Sequence, residues 1–274
     1  MQIKGNLSVI SGASRGIGAA LAKEMAHQGG RIVILARSLS DLEKVAGEIK
    51  SKALSSNLPA PAIYIYAVDL SDAKATEVTA QKIISEIGVP DILINNAGAG
   101  KFRCIDETTS DEVVQMMALP YFAAFYLTRA FLPAMLSKKS GHIVNMTSPS
   151  SVVPFAGSTG YSAARWAMRG FTEALRGDLR GTGIRVTLAM PGKVDSSYWE
   201  ANSGSEDRVP SISKLIPTLT EEKTAKIIAR GIEWNCREII APFMVQVFYV
   251  LYRLFPRFVT YLVHSTGWKH PSTR

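Results

Sequence analysis

Short apolar runs alternate along the chain with segments whose apolar side chains recur every three or four positions. Such runs are typical of strands buried on both faces, and the recurring spacing is typical of amphipathic helices. Since no linker or repeat divides the series, the pattern indicates one α/β domain built on a doubly wound parallel sheet. Six strands are predicted, at residues 7–10, 31–36, 63–68, 92–94, 141–146 and 184–189.

Helical spacing fills the intervals between these runs. Ser38 or Ser40 is placed to cap the second helix, because a serine oxygen there accepts a backbone N–H. Pro120 is expected to interrupt a long apolar helix, because proline lacks the N–H that the helix needs. Helices are predicted directly after the first run and at residues 40–52, 72–86, 111–138, 161–180 and 220–234.

A glycine-rich turn, S-G-A-S-R-G-I-G, joins the first apolar run to its helix. Glycines allow a sharp strand-to-helix turn, which leaves backbone N–H groups and the positive helix end facing one point. That geometry suits the pyrophosphate of a dinucleotide, and the strand before and the helix after the turn support this interpretation. The turn residues predicted to bind the cofactor are Gly12, Ser14, Arg15, Gly16, Ile17 and Gly18.

The residues after the second run indicate which dinucleotide binds. An NAD site places an acidic residue there for the ribose 2′-hydroxyl. This chain instead has Arg37 followed by Ser38. Arg15 and Arg37 supply two guanidinium groups that can hold a 2′-phosphate, so the sequence predicts NADPH or NADP+ as cofactor. Asp69, at the end of the third run, is predicted to accept a hydrogen bond from the adenine amino group.

Two further turns follow the fourth and sixth runs. In a parallel sheet of this type, ligands bind at the carboxyl ends of the strands, so both turns are expected to face the cofactor. The residues predicted to bind it there are Asn96, Ala97, Gly98, Pro191, Gly192 and Val194.

A serine, a tyrosine and an arginine form the candidate catalytic group. Ser148 follows the fifth run, Tyr161 lies 13 residues further on, and Arg165 lies one helical turn after Tyr161. The four-residue step places the phenol and the guanidinium on the same helix face. A neighbouring cation favours the phenolate, which suits Tyr161 to general acid–base work, and both residues are also expected to contact the cofactor. The Ser148 hydroxyl is placed to bind the oxygen of a carbonyl substrate.

These motifs resemble those of the short-chain dehydrogenase/reductase family over residues 5–195. The resemblance rests on S-G-A-S-R-G-I-G, on N-N-A-G after the fourth run, on the spacing of Ser148 and Tyr161, and on Pro-Gly after the sixth run. It implies a Rossmann-type fold and hydride transfer from nicotinamide, with Ser148 polarising the carbonyl and Tyr161 transferring the proton. It also implies that Asn95 steadies the central sheet.

Two positions depart from the family pattern. The family has lysine one turn after its tyrosine, whereas this chain has Arg165, whose planar guanidinium differs from an ammonium group. The family also has an asparagine in the preceding long helix that holds a relay water. Residues 116–122 contain no asparagine, and Pro120 stands at its position, or Ala118 if the match is shifted. The resemblance therefore implies that the cofactor-binding part of the site is intact and that the proton relay is altered.

Composition narrows the classes of protein further. The chain has 274 residues, two isolated cysteines and a net charge of +8. Two cysteines are too few for a disulfide framework or a metal site, and no signal peptide precedes the first run, so a cytoplasmic location without metal is predicted. The positive charge favours anionic partners, which a phosphorylated cofactor or anionic lipid satisfies. No basic run or recognisable module predicts nucleic-acid binding.

The domain organisation predicted from the sequence has two parts. Residues 1–240 form the dinucleotide-binding domain, in which the polar segment 193–218 is a substrate lid. Residues 241–274 form a hydrophobic, amphipathic C-terminal extension of one helix, or of two helices that meet at Pro256. Over residues 242–267 the polar side chains of this extension recur along one narrow stripe: Gln246, Arg253, Arg257, Thr260 and His264.

Three interpretations of the C-terminal extension stay open. Its wide apolar face suits a subunit interface, in keeping with a homo-oligomer. It equally suits a helix lying in the plane of an anionic membrane surface, because arginines, Trp268 and Lys269 accompany it. As a third alternative, the extension packs over the substrate pocket as a lipophilic wall. Its arginines and proline disfavour a membrane-spanning helix.

The sequence thus predicts an NADPH-dependent oxidoreductase that reduces an apolar ketone or aldehyde, or oxidises the corresponding alcohol, with Tyr161 as acid–base group. The alternative is an NADP(H)-binding protein with weak or no catalysis that acts as a sensor or scaffold. Arg165 and Pro120 are the residues on which the choice between these two functions depends. With them in place, an enzyme needs a substitute route for the proton, whereas a binding protein does not.

Overall fold

The computed structural model describes residues 1–57 and 59–271. Residue 58, in a predicted loop, and the last three residues of the predicted C-terminal extension lie outside the described residues. Within the described ranges the strands are β1 (Leu7–Ser11), β2 (Arg31–Ala36), β3 (Ile63–Ala67), β4 (Ile92–Asn95), β5 (Gly141–Met146), β6 (Ile184–Pro191), β7 (Val194–Asp195), β8 (Leu219–Thr220) and β9 (Glu238–Ala241).

Helices connect these strands and cover both faces of the sheet. In chain order they are α1 (Gly16–His27), α2 (Leu39–Ser55), α3 (Ala73–Glu86), α4 (Ser110–Met117), α5 (Ala123–Lys138), α6 (Thr159–Asp178), α7 (Tyr198–Ala201), α8 (Glu221–Glu233), α9 (Phe243–Leu254) and α10 (Pro256–Ser265).

The main sheet has seven strands in the order β3-β2-β1-β4-β5-β6-β9, and all its pairings are parallel. Helices α1, α2 and α8 contribute to the apolar core on one face, and α3, α5 and α6 contribute to the core on the other. The predicted doubly wound, Rossmann-type sheet is therefore confirmed. The strand order reverses between β1 and β4, which is where sheets of this kind bind nucleotides.

Pro120 reshapes the long helix without ending it. Residues Ala118–Phe122 form a π-helical turn between α4 and α5, in which the Ala123 N–H donates to the Ala118 carbonyl. The wider turn accommodates a residue that has no N–H to donate. The combined segment Ser110–Lys138 is long and apolar enough to cross a membrane by length and composition. Side chains such as Phe131 are nonetheless buried in the core against the sheet, as in the core helix of a globular domain.

Strand β9 was not predicted from the sequence, and it forms one edge of the sheet beside β6. The predicted C-terminal extension follows directly as α9 and α10, which meet at Pro256. Proline suits the first turn of α10 because the N–H it lacks has no partner inside a helix at that position. The two helices thereby lie next to the carboxyl end of β6, close to the nucleotide edge of the sheet.

Candidate active site

A cavity of about 690 Å³ lies at the carboxyl ends of β1, β4, β5 and β6. The turns that follow these four strands supply one wall of the cavity, and the segment predicted as a lid supplies another. The predicted site residues that line it are Gly12, Ser14, Arg15, Gly16, Ile17, Arg37, Ser38, Asn96, Ala97, Gly98, Ser148, Tyr161, Arg165, Pro191, Gly192 and Val194.

Two residues predicted to bind the cofactor, Gly18 and Asp69, are not among the described residues that line this cavity. A Cβ on Gly18 would overlap the Gly12 carbonyl oxygen, so this glycine allows α1 to pack closely against the turn. The Asp69 carboxylate accepts hydrogen bonds from the Ser71 hydroxyl and N–H, at 2.7 and 3.0 Å. Those bonds lower the pKa of Asp69 and engage one of its two carboxylate oxygens, so the predicted hydrogen bond from adenine stays a prediction for the other oxygen.

Two glycines in the first turn have backbone conformations that favour glycine. Gly12 has φ +65° and Gly16 has φ +63°. A Cβ on Gly12 would come within 2.8 Å of the Ala97 Cα, so a larger residue would push the turns after β1 and β4 apart. The α1 helix starts directly after this turn, and its N-cap residue Arg15 makes no side-chain cap. The first backbone N–H groups of α1 are therefore available for an anion.

Ser11 and Asn96 fasten the turns after β1 and β4 to each other. The Ser11 hydroxyl accepts from the backbone N–H groups of Asn96 and Ala97 at 2.9 and 3.0 Å. The Asn96 amide donates to the Ser11 and Gly12 carbonyls at 3.0 and 3.2 Å. Asn96 therefore shapes the glycine turn, in addition to lining the cavity as predicted.

Both arginines predicted to choose the cofactor, Arg15 and Arg37, line the cavity and are exposed. Within the described ranges neither of them forms an ion pair. Ser38 caps α2 through its hydroxyl, which accepts from the Asp41 N–H at 3.3 Å. The two guanidinium groups therefore keep their donors free at the rim of the cavity, beside a helix N-terminus.

Tyr161 and Arg165 lie at the centre of the cavity and are 7% exposed each. The Arg165 guanidinium carbon lies 4.8 Å from the centroid of the Tyr161 ring, as the four-residue spacing predicted. A Cβ on Gly98 would come within 3.1 Å of an Arg165 nitrogen, so the N-N-A-G turn leaves room for this side chain. The buried Nε of Arg165 has no hydrogen-bond partner among the described residues.

Ser148 follows β5 and has a second role as the cap of the short 3₁₀ turn Pro149–Ser151. Its hydroxyl oxygen accepts from the Ser150 N–H at 3.4 Å and from the Ser150 hydroxyl at 3.3 Å. Because the Ser148 oxygen accepts both bonds, its own O–H proton is free to be donated into the cavity.

Tyr198, on α7 in the predicted lid, is a polar group of the site that the sequence did not reveal. Its hydroxyl donates to the Gly100 carbonyl at 2.7 Å. Gly100 in turn lies against the Tyr161 ring, since a Cβ there would come within 2.8 Å of it. Burial, followed by the neighbouring Tyr161 phenol, raises the pKa of Tyr198 above its ordinary range. Tyr198 therefore stays protonated, and its one O–H proton is used in the bond to the Gly100 carbonyl.

The part of the cavity away from the glycine turn is apolar. Phe102 packs edge-on against the Tyr161 ring, with centroids 4.7 Å apart. The inner faces of α9 and α10 close this side, which is the placement expected of a lipophilic wall. From the long helix that carries Pro120, only Leu119 lines the cavity among the described residues. Further apolar lining residues are Val152, Val153, Phe155, Trp199, Val209, Ile212, Ile216, Val245, Phe248, Val259 and Val263.

Asn95 lies behind the site and joins three elements. Its amide nitrogen donates to the Asn145 side-chain oxygen at 2.8 Å and to the Thr128 hydroxyl at 3.0 Å. Asn145 donates onward to the Thr172 hydroxyl at 3.0 Å. This buried chain links β4, β5, α5 and α6, so the orientation of the helix that carries Tyr161 depends on polar contacts with the sheet.

Sequence comparison gives the same class of protein as the fold and the site. The chain matches the short chain dehydrogenase family over residues 6–207. An uncharacterized oxidoreductase of Mycobacterium bovis is 33% identical over 249 residues, which cover 88% of this chain and 68% of that relative. Retinol dehydrogenase 10-B of Danio rerio is 31% identical over 242 residues, which cover 82% of this chain and 72% of that relative. The protein therefore belongs to the short-chain dehydrogenase/reductase family of oxidoreductases.

Solved structures share the fold over nearly the whole chain. A metagenomic short-chain oxidoreductase in complex with NADP has a TM-score of 0.70 and 28% identity, and the match covers 88% of this chain and 98% of that one. A short chain dehydrogenase/reductase from Burkholderia phymatum in complex with NAD has a TM-score of 0.81 and 20% identity, covering 98% and 99%. Proteins of this fold thus bind either dinucleotide.

Proposed function

We propose that this protein reduces an apolar ketone or aldehyde with NADPH, or oxidises the corresponding alcohol with NADP+. One observation carries the proposal: a single cavity joins a glycine turn edged by two arginines to an apolar chamber, with Tyr161 and Ser148 between them. A bound nicotinamide dinucleotide supplies or accepts the hydride. The glycine turn and the α1 N-terminus would hold its pyrophosphate, and Arg15 and Arg37 would hold its 2′-phosphate.

The proton in this reaction comes from Tyr161. The free O–H of Ser148 donates to the substrate oxygen and holds the carbonyl beside the Tyr161 phenol. Transfer of the phenol proton to that oxygen leaves a phenolate, which the adjacent Arg165 guanidinium stabilises by its charge. Arg165 does not itself release a proton. Tyr198 uses its O–H to hold the Gly100 carbonyl beside the Tyr161 ring. Leu119, the residue of the Pro120 helix that lines the cavity among the described residues, has no polar group for a proton relay.

The chain length of the substrate tests this proposal. Across a series of straight-chain aldehydes, kcat/KM for NADPH oxidation is expected to rise about fourfold per methylene until the apolar chamber is full, as burial of each CH₂ is worth about 0.8 kcal/mol. Phe248→Ala removes a chamber wall and should flatten this rise. Phe243→Ala, on the exposed side of the same helix, is the matched control and should leave the series unchanged.

A flat or falling series would contradict the apolar substrate class. If no carbonyl compound supports NADPH oxidation while NADPH still binds, the sensor or scaffold alternative is favoured instead. Binding is followed independently through the fluorescence of the reduced nicotinamide.

Arg165→Lys is expected to keep or raise the turnover rate. Lysine preserves the positive charge near the Tyr161 phenol and carries protons that it can release, whereas arginine only stabilises the phenolate. Pre-steady-state and steady-state NADPH oxidation should be compared with those of Arg180→Lys, an exposed arginine outside the cavity. A loss of more than about tenfold with Arg165→Lys, a barrier increase of about 1.4 kcal/mol, would show that the planar guanidinium itself is required.

We also propose that the protein is a homo-oligomer, as its sequence predicted. An aromatic cluster on α5, α6 and the π-helical turn supports this, in which Tyr121 and Phe125 lie 5.8 and 5.9 Å from Phe171 between ring centroids. Phe125 of this cluster is 41% exposed. Exposed aromatic side chains of this kind are enriched at subunit interfaces.

A further inference from the structure

Helices α9 and α10 carry two apolar faces, and only one of them is covered. The inner face of α9 presents Val245, Phe248 and Tyr249 to the cavity. The opposite face of α9 presents Phe243, Val250 and Leu254 to solvent, at the spacing of one side of a helix. A helix that only closed the cavity would need one apolar face. The second face therefore requires its own explanation.

The outer face continues from α9 onto α10 without a polar break. Phe243, Leu254, Phe255, Phe258 and Tyr261 are 73, 65, 57, 59 and 70% exposed. Large apolar side chains clustered in this way on a folded surface mark a contact with a protein or a membrane.

The charge of this region is of one sign. The sequence contains no Asp or Glu after Glu238, whereas Arg253, Arg257 and Lys269 all lie beyond it. Arg253 and Arg257 are exposed at the edge of the outer face, and neither forms an ion pair within the described ranges. Two carboxylates approach from other elements: Asp106, at 2.9 Å from His270 near the end of the extension, and Glu238 of β9, at 3.5 Å from the Tyr249 hydroxyl on the inner face of α9.

We infer that the outer face of α9 and α10 binds the surface of an anionic lipid bilayer. The aromatic and aliphatic side chains enter the boundary between headgroups and acyl chains, while Arg253 and Arg257 contact the anionic headgroups. Each helix lies in the plane of the membrane. At 12 residues, α9 is about 18 Å long and too short to span the hydrocarbon core.

A second copy of the chain suits this face less well than a lipid surface does. In a twofold interface the same patch meets itself, which would bring Arg253 and Arg257 of both chains together. The extension contains no Asp or Glu to pair with them, so like charges would face each other across the contact. An anionic lipid surface supplies the missing negative charge.

The experiment uses the full chain and co-sedimentation with two kinds of vesicle. One kind is pure phosphatidylcholine, and the other contains roughly one part in four of phosphatidylserine, which gives an anionic surface potential. Binding is expected to the second kind, to weaken with added salt, and to fall about fivefold for each charge removed in Arg253→Gln and Arg257→Gln. Arg180→Gln, an exposed arginine on another surface, should bind as the parent does.

Phe258→Glu tests the apolar part of the same face, and Leu54→Glu is its matched control because Leu54 is 79% exposed on α2. Phe258→Glu should abolish sedimentation with vesicles, and Leu54→Glu should not. Unchanged binding of NADPH shows that each variant is folded. If Phe258→Glu does not fold, Arg253→Gln and Arg257→Gln still test whether this face binds lipid.

Three results would overturn the inference. One is a parent protein that binds neither kind of vesicle, and another is equal binding to both at every salt concentration. The third is a lipid-free parent dimer, measured by sedimentation velocity, that Phe258→Glu converts to monomers, because a second copy would then be the occupant of this face. None of these measurements depends on turnover, so they stand whether or not a carbonyl substrate is found.

Discussion

Tyr161→Phe is expected to lower kcat/KM for carbonyl reduction by about 10²–10⁴-fold, the usual contribution of a general acid. The substitution removes the proton that the phenol delivers and leaves the ring, which packs against Phe102 and Arg165, in place. The Kd for NADPH should change little, because the glycine turn and the arginines at the rim are untouched. Stopped-flow NADPH oxidation and a fluorescence titration measure the two quantities separately.

Tyr64→Phe is the control for this substitution, since Tyr64 lies on β3 outside the cavity, and it should behave as the parent. Should Tyr161→Phe turn over a good substrate at the parent rate, the assignment of the proton to Tyr161 is wrong. A parent that binds NADPH but reduces nothing would instead favour the sensor or scaffold alternative.

Arg37→Asp is expected to remove most of the preference for NADPH over NADH. A hydrogen bond to a charged group is worth about 1.5–3 kcal/mol, so losing those from one guanidinium should weaken NADPH binding by about 10- to 100-fold. The new carboxylate also repels the 2′-phosphate and offers an acceptor to a free 2′-hydroxyl, which should strengthen NADH binding. Titrations of the parent and the variant with NADPH and with NADH give the ratio of the two Kd values for each protein.

Arg180→Asp makes the same change of charge on another surface and should leave the cofactor ratio unchanged. Equal affinity of the parent for NADPH and NADH would contradict the proposed role of the arginines at the rim. A parent that prefers NADPH and keeps that preference in Arg37→Asp would assign the 2′-phosphate to Arg15 alone.

The sheet was largely predictable because strands buried on both faces produce unbroken apolar runs. Strands β2 and β5 begin and end at the predicted residues. The edge strand β9 escaped prediction because its apolar run has only three residues, Ile239, Ile240 and Ala241, and only Ile239 and Ala241 are buried. Pro120 was expected to interrupt its helix, and the structure shows the interruption as a π-helical turn between α4 and α5.

The site was predictable where its residues lie within one motif. Spacing alone related Tyr161 to Arg165, because one helical turn determines their distance. Tyr198 could not be found in this way, since its partner Gly100 lies 98 positions away in the chain. The C-terminal extension shows the same limit: its apolar periodicity was visible, but which face of α9 meets the cavity is decided by packing against distant strands.

The hydrogen bonds of Ser11 and Asn96 give the phosphate-binding turn its shape before any nucleotide arrives. A turn that ordered only on binding would lose conformational entropy at that moment, and part of the interaction free energy would offset the loss. Here the turn becomes ordered when the chain folds, because the same bonds join the ends of β1 and β4. The receptor is thus preorganised, and a change that loosened this edge of the sheet would weaken cofactor affinity without touching the cofactor.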